Sequence, residues 1–240
     1  MAQRELSILA NARITLNDTN TDNQRWSDER LMQLLSDGQD DMCKSIPIIA
    51  SKATINTVVG QDVYRLPGDS IKLLRASSEG IPLSLTSYDE IEDAKPDWEE
   101  DKSSTYSAII VNALSQQEIR PYPLVSTSKP IKVRYHARPV VLGWDSTTKD
   151  CMEELTISDM WDDGLKQYVI GMAFLDYGDE ASNSRASTAL GIYKGEYNKA
   201  SNLAKNAFSK RLRVTHFQGK VSHRSDIGGN YAGSNCRSGY

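Results

Sequence analysis

Apolar positions recur at spacings of three and four near both ends of the chain and alternate with polar ones in between. The strongest helical pattern runs from Ser158 to Phe208. There Trp161, Leu165, Tyr168, Val169, Met172 and Leu175 fall on one helical face. After a break at Tyr177-Gly178-Asp179-Glu180, a second stripe follows in Ala186, Leu190, Tyr193, Tyr197, Ala200, Ala204 and Ala207. Ser158 stands where an N-cap is expected, and Asp159, Asp162 and Asp163 place negative charge at the positive end of the helix dipole. The pattern predicts an antiparallel helical hairpin whose second helix has small residues that allow close approach.

At the other end, Leu6, Ile8, Leu9 and Ala12 predict a short helix from Gln3 to about Ala12, and the polar run Asn17 to Arg25 reads as a loop. Ser27, with Asp28 and Glu29 behind it, opens the next helix, although Arg30 stands where a capping box wants Glu or Gln. Leu31, Leu34, Leu35, Gly38 and Met42 form its buried stripe, and Pro47 marks its end. After Ser51 the period shortens to two. Thr54 to Val59 and Val63 to Leu66 read as strands joined by a hairpin loop at Gly60-Gln61-Asp62. Ile71 to Ala76, Ile81 to Leu85, Tyr106 to Val111, Gln117 to Arg120 and Ile131 to Ala137 are further strands, with a short acidic helix from Ser87 to Ala94 among them.

Strands enclosed by helices predict an α+β fold rather than alternating βαβ units. The expected architecture is a helical bundle with a long antiparallel hairpin, an inserted antiparallel β-subdomain and an extended C-terminal arm. Residues 1–50 supply the N-terminal helices, 51–150 the β-rich insertion, 151–208 the hairpin that completes the bundle, and 209–240 the arm. Gly228, Gly229, Gly233 and Gly239 interrupt any helix in that arm, and Phe217, Val221, Ile227 and Tyr231 are isolated apolar points among basic residues.

Composition changes this picture little. With 39% hydrophobic and 25% charged residues the chain reads as globular. Its apolar runs are too short to span a bilayer, and the N-terminus lacks the pattern of a signal peptide. Cys43, Cys151 and Cys236 are odd in number and far apart, so they are expected to be free thiols. Charge distribution is more informative. The net −4 excludes a strongly basic nucleic-acid coat, yet it divides into +5 from Ser209 to Tyr240 and −9 elsewhere. Between Asp89 and Lys102, eight acidic residues face Lys95 and Lys102 alone.

Catalytic signatures are absent from the sequence. It has no Gly-rich phosphate loop, no nucleophile elbow, no H-E-x-x-H and no paired Cys-x-x-Cys. His136, His216 and His223 have no ligand spacing and read as ordinary polar residues. No cofactor or metal is called for. The acidic run could supply two carboxylates for glycoside cleavage, but so many acids in one segment read more simply as a solvated or partner-facing surface. Trp98, Tyr106 and Tyr122 could stack on sugars, against the plainer reading as packing and turn anchors. In the arm, basic residues interleaved with apolar ones suit docking on another protein better than coating phosphates, with a solubilising tail as the plain alternative.

A resemblance gives these features a common setting. Ile14-Thr15-Leu16-Asn17-Asp18, Arg25-Trp26-Ser27-Asp28-Glu29-Arg30-Leu31 and Leu35-Ser36-Asp37-Gly38-Gln39 resemble the opening of the head-to-tail adaptor proteins of short-tailed bacteriophages. Pro67-Gly68-Asp69 with Ile71-Lys72-Leu73-Leu74-Arg75, then Tyr88-Asp89, Pro96-Asp97-Trp98 and Arg120-Pro121-Tyr122-Pro123, are similar to that family's inserted β-region. Asp176-Tyr177-Gly178-Asp179-Glu180, with Asn183, Ala186 and Ala189, resembles the bend of its helical hairpin. The likeness covers residues 3 to 208.

It implies a virion structural protein without cofactor or turnover, assembled in the host cytoplasm. Its copies, usually twelve, would form a ring between portal and tail nozzle, with DNA only as passing cargo and no membrane partner. On this reading Arg211, Arg213, Phe217, Lys220, Arg224, Tyr231 and Arg237 form a portal-docking arm. Asp89, Glu90, Glu92, Asp93, Asp97 and Trp98 meet a neighbouring copy or the nozzle. The alternatives are a virion-associated peptidoglycan hydrolase, with Glu90 or Glu92 at its site, and a carbohydrate-binding β-module.

Overall fold

The computed structural model describes residues 3–112 and 117–217. The chain divides into two units, Met1–Ala204 and Lys205–Tyr240, and the architecture described here is that of the first. Among the described residues it is mixed α and β, with five helices and a large, nearly closed sheet.

Helix α1 (Gln3–Leu16) continues past the expected end at Ala12. Leu16 extends the stripe of Ile8, Leu9 and Ala12 by one more turn and is itself buried. Helix α2 (Asp28–Ser45) begins as predicted, with the Ser27 hydroxyl accepting from the Arg30 amide at 3.1 Å. Leu31, Leu34, Leu35 and Met42 are fully buried, each stabilising the fold by roughly 1.5–3 kcal/mol relative to exposure.

The next strands are β1 (Ala50–Ile55), β2 (Tyr64–Arg65), β3 (Ser70–Ser78) and β4 (Ile81–Thr86). A short helix α3 (Tyr88–Ala94) and a 3-10 turn at Trp98–Glu100 follow. Then come β5 (Lys102–Ser103), β6 (Ala108–Val111), β7 (Glu118–Tyr122), β8 (Leu124–Val125) and β9 (Ile131–Ala137). Seven of these form one sheet in the order β1-β9-β3-β4-β6-β7-β2, while β5 and β8 pair separately.

Two expectations about the strands fail. The hairpin across Gly60-Gln61-Asp62 does not form: β1 pairs with β9 and β2 with β7. The intervening loop is instead gathered by the Tyr64 hydroxyl, which bonds the amide and carbonyl of Val58 and the carbonyl of Gln61. Nor is the sheet purely antiparallel. β4 and β6 run parallel, as do β5 and β8. A parallel pair needs a crossover, and α3 with the following turn provides it between β4 and β6. The tight connection between β3 and β4 is local, with positive φ at both Glu79 and Gly80.

Leu66, Leu73, Ala76, Leu83, Tyr106, Ile109, Ile119, Ile131, Val133 and Tyr135 form one apolar cluster with Tyr64 of β2. Strands from both ends of the sheet contribute to it, so the sheet curls around this core. A small cluster of Ile91, Trp98 and Ile110 lies on the other face, under α3.

Past β9 the chain returns to the helices through a short ribbon, β10 (Trp144–Asp145) and β11 (Asp150–Cys151). Polar side chains secure this return. Buried Gln39 donates to the Val140 carbonyl at 3.1 Å and accepts from the Thr156 amide at 2.8 Å. Ser36 accepts from the Leu142 amide at 3.1 Å, and Glu5 accepts from the Leu155 amide at 2.6 Å.

Helix α4 (Asp162–Tyr177) starts later than Ser158 predicts, because a 3-10 turn, Asp159–Trp161, comes first. Ser158 makes no side-chain cap and its hydroxyl donates to Asp159 Oδ1 at 3.1 Å. Leu175 is exposed, and the buried stripe runs instead through Leu165, Val169, Ile170, Ala173 and Phe174. Gly178, at φ +75°, ends the helix in the left-handed region.

Helix α5 spans Glu180–Phe217. Its Leu190 occupies the space beside Gly171 of α4, and the rings of Tyr168 and Tyr193 meet edge-on at 5.0 Å. Ala186, Tyr193 and Ala200 are buried, as their stripe predicts. The arm expected to be extended from Ser209 is helical as far as Phe217, in line with the absence of Gly and Pro before Gly219.

Candidate functional site

The acidic segment of residues 89–101 is a built surface rather than a loose run. Ser87 caps α3 by accepting from the Glu90 amide at 3.2 Å, and the Glu90 carboxylate accepts in return from the Ser87 amide at 3.1 Å and the Thr86 hydroxyl at 3.0 Å. These bonds, the Ser87 amide first, hold the Glu90 carboxyl below its ordinary range. Ile91 and Trp98 are buried against Ile110, with Tyr88 and Tyr122 edge-on to the indole. The Arg120 guanidinium lies 4.5 Å from the indole ring and pairs with Glu99 at 2.8 Å and Asp62 at 3.3 Å. Lys95 and the Tyr122 hydroxyl both bond Asp101, and they hold its carboxyl low, Lys95 more than Tyr122.

What remains is a row of free acids. Asp89, Glu92, Asp93, Asp97 and Glu100 are exposed, and none makes an ion pair among the described residues. Trp98, predicted beside them at a contact, is only 4% exposed and anchors the segment from beneath. Tyr106 is likewise a core residue.

The carboxylates are not arranged around a cleft. Glu90 lines a recess of about 250 Å³ with Lys72, Leu85, Thr86 and Val111, and Glu92 is not part of its wall. Two residues apart on α3, the two side chains project about 200° from one another.

Of the predicted arm residues, Arg211, Arg213 and Phe217 fall within α5, while Lys220, Arg224, Tyr231 and Arg237 lie outside the described residues. His136 is buried in β9, its Nε2 has no partner, and burial lowers its pKa. Cys43 and Cys151 are buried free thiols, and burial pushes Cys43 up to about 12. Among the described residues, no three His, Cys, Asp or Glu side chains gather as metal ligands, and no helix is long and apolar enough to cross a membrane.

Sequence reasoning missed a second charged surface. On the face of the sheet turned away from its core, Lys52 of β1 and Arg75 of β3 both stand directly opposite Arg134 of β9, and Lys132 lies in the adjoining row. Together they line a shallow recess of about 470 Å³. The alternation in Ile131 to Ala137 does put Lys132 and Arg134 on one face, but nothing local identifies the strands beside them.

The two surfaces are separate, sit on one curled sheet, and surround no enclosed catalytic constellation among the described residues. Such an arrangement suits assembly with other macromolecules. A search among curated proteins finds no match. The family model described as SU10 adaptor protein matches residues 5–216, so the chain belongs to that family and is a phage structural adaptor, a component of the virion.

Proposed function

We propose that the chain is the head-to-tail adaptor of a short-tailed phage, with copies, twelve in the full ring, placed between the portal and the tail nozzle. The family match across residues 5–216 carries this reading. The helical bundle and its hairpin are the scaffold. The basic segment 209–240 docks on the portal through Arg211, Arg213, Phe217, Lys220, Arg224, Tyr231 and Arg237. The acidic segment, with Asp89, Glu90, Glu92, Asp93 and Asp97 held up by Trp98, meets a neighbouring copy or the nozzle. Two facts support these assignments: the charge division of the chain, and the exposed acids that no cation of the described residues neutralises. DNA passes through the ring as cargo, and the chain acts without turnover.

Electron microscopy of the purified chain, with and without its portal, tests the ring. Rings that form on the portal support the reading, and a chain that never associates with the portal rejects it. Removal of Lys210 to Tyr240 tests the docking segment separately. The shortened chain gives up the last turns of α5 but is expected to keep its melting temperature and to lose co-sedimentation with the portal. Unchanged co-sedimentation would reject the docking role.

A further inference from the structure

The outer face of β1, β9 and β3 carries like charges that the fold itself leaves unneutralised. Lys52, Arg134 and Arg75 form one row across three strands, because Arg134 is the register partner of both neighbours. Lys132 lies in the next row, between Thr54 and Ser77. Side chains directly opposite in a sheet are about 4.5–5.5 Å apart at Cβ, and like charges so placed destabilise it.

Elsewhere on the sheet the cost is met locally. Arg65 pairs with Glu118, Arg120 with Glu99, and Lys129 with Glu79. Among the described residues, none of Lys52, Arg75, Lys132 and Arg134 has an acidic partner, and the buried Nε–H of Arg134 donates to no acceptor. The flanking residues Ile131, Val133 and Tyr135 are locked into the core on the opposite face. The cations are therefore fixed by register, not scattered over flexible loops.

The chain also carries the complement. Thr86 of β4 pairs with Ile110 of β6, and Ile110 packs beneath Ile91 and Trp98, so the α3 segment covers the same outer side of the sheet, beyond β4. Its free acids Asp89, Glu92, Asp93, Asp97 and Glu100 form no ion pair with the cationic row within one copy.

We infer that the cationic face formed by Lys52, Arg75, Lys132 and Arg134 receives the α3 segment of a second copy of this chain. The inference rests on the ring reading above and names the contact that builds the ring. The two surfaces differ, so the contact is head-to-tail and repeats from copy to copy until rotation closes it. Opposite charge speeds the encounter and fixes its register. Duplex DNA is the competing polyanion. The second copy is favoured because the chain itself presents a matching set of free carboxylates on α3 and the 3-10 turn that follows it.

The test mixes full-length chain of two isotopic labels at low salt, applies zero-length carboxylate-to-amine cross-linking, and images the same chain with its portal. Cross-links between labels from Lys52 or Lys132 to Glu92 or Asp93 are expected. Lys52→Glu with Lys132→Glu, and separately Glu92→Lys with Asp93→Lys, should each weaken self-association at least tenfold while circular dichroism shows both folded. An equimolar mixture of the two variants should associate again, because each then supplies the face the other has lost. Rings on the portal without these cross-links would overturn this contact and leave the ring reading standing. Absence of both rings and cross-links would overturn both. Self-association untouched by Lys52→Glu with Lys132→Glu, together with loss of duplex binding in a gel-shift assay, would assign the face to DNA instead.

Discussion

Arg13 donates to Asp18 at 2.6 Å with side-chain exposures of only 9% and 2%. The same guanidinium reaches the Trp26 carbonyl at 2.9 Å and Asp28 at 2.6 Å, while Asp18 also accepts from the Arg25 amide at 2.8 Å. The pair thus fastens the end of α1 to the start of α2 across a loop that is otherwise polar. Breaking a buried pair from one side strands the remaining charge, at a cost of about 3–5 kcal/mol. Asp18→Ala and Arg13→Ala are each expected to lower the melting temperature by roughly 6–20 °C. Arg30→Ala, which removes the exposed pair with Asp176, should cost no more than about 1 kcal/mol. Thermal melts of the three variants read the difference.

Gln39 is fully buried and its amide joins α2 to the strand-to-helix return at three backbone groups, the Val140 carbonyl and the Thr156 and Ile157 amides. Gln39→Leu matches the volume but satisfies none of them. A buried group left unpaired costs about 1–3 kcal/mol, so the variant should unfold at lower denaturant with an unchanged slope. Gln39→Glu keeps the acceptor for the two amides and loses the donor to Val140. Because the new carboxylate is fully buried, has no cationic partner and faces the Val140 carbonyl, this variant should be less stable than the Leu variant in a urea titration at pH 7.

These two anchors show where reading the sequence stops. The stripes of α2 and α5, the Ser27 cap and the limits of β9 follow from spacing, because they depend on neighbours three, four or two residues away. Asp18 sat in a run that composition marks as loop, and Gln39 beside Gly38 looks like a surface polar residue. Their partners lie elsewhere in space, and only the closed fold makes them buried. The same holds for the sheet. Val63 to Leu66 is β-prone, yet β2 pairs with β7, far along the chain, rather than across Gly60. The acidic segment was legible as charge, whereas the row Lys52, Arg134, Arg75 exists only through register.

Gly171 lets α4 pack tightly against α5. A Cβ there would lie 2.6 Å from Leu190 Cγ and 3.4 Å from the Ala186 carbonyl, and Cγ is not a flexible tip that can swing away. Gly171→Ala is expected to cost about 1–3 kcal/mol from overpacking, despite the helix propensity that alanine adds. Gly191 and Gly195 on α5 are exposed, and nothing lies within 4 Å of an added Cβ. Alanine at either site should stabilise by up to about 1 kcal/mol. Opposite signs in chemical denaturation would separate packing from propensity within one helical pair.

His136 is 3% exposed, stands opposite Ala50 and Lys72 in the sheet register, and shares its strand face with Arg134. Burial lowers its pKa, and the cationic neighbours give a proton no anionic partner. With the folded value depressed below the unfolded one, near 6.5, the unfolded chain binds more protons between the two. The stability tied to neutral His136 is therefore complete above about pH 6.5 and is lost as the pH falls toward the folded value, with a slope of at most about 1.4 kcal/mol per pH unit. His136→Leu removes both the titration and the unpaired Nε2. It should equal or exceed the wild type at pH 7, and its advantage should widen toward pH 5. Urea titrations of both proteins across that range measure the gap, and a gap that stays constant or narrows would show that His136 is not held neutral by the fold.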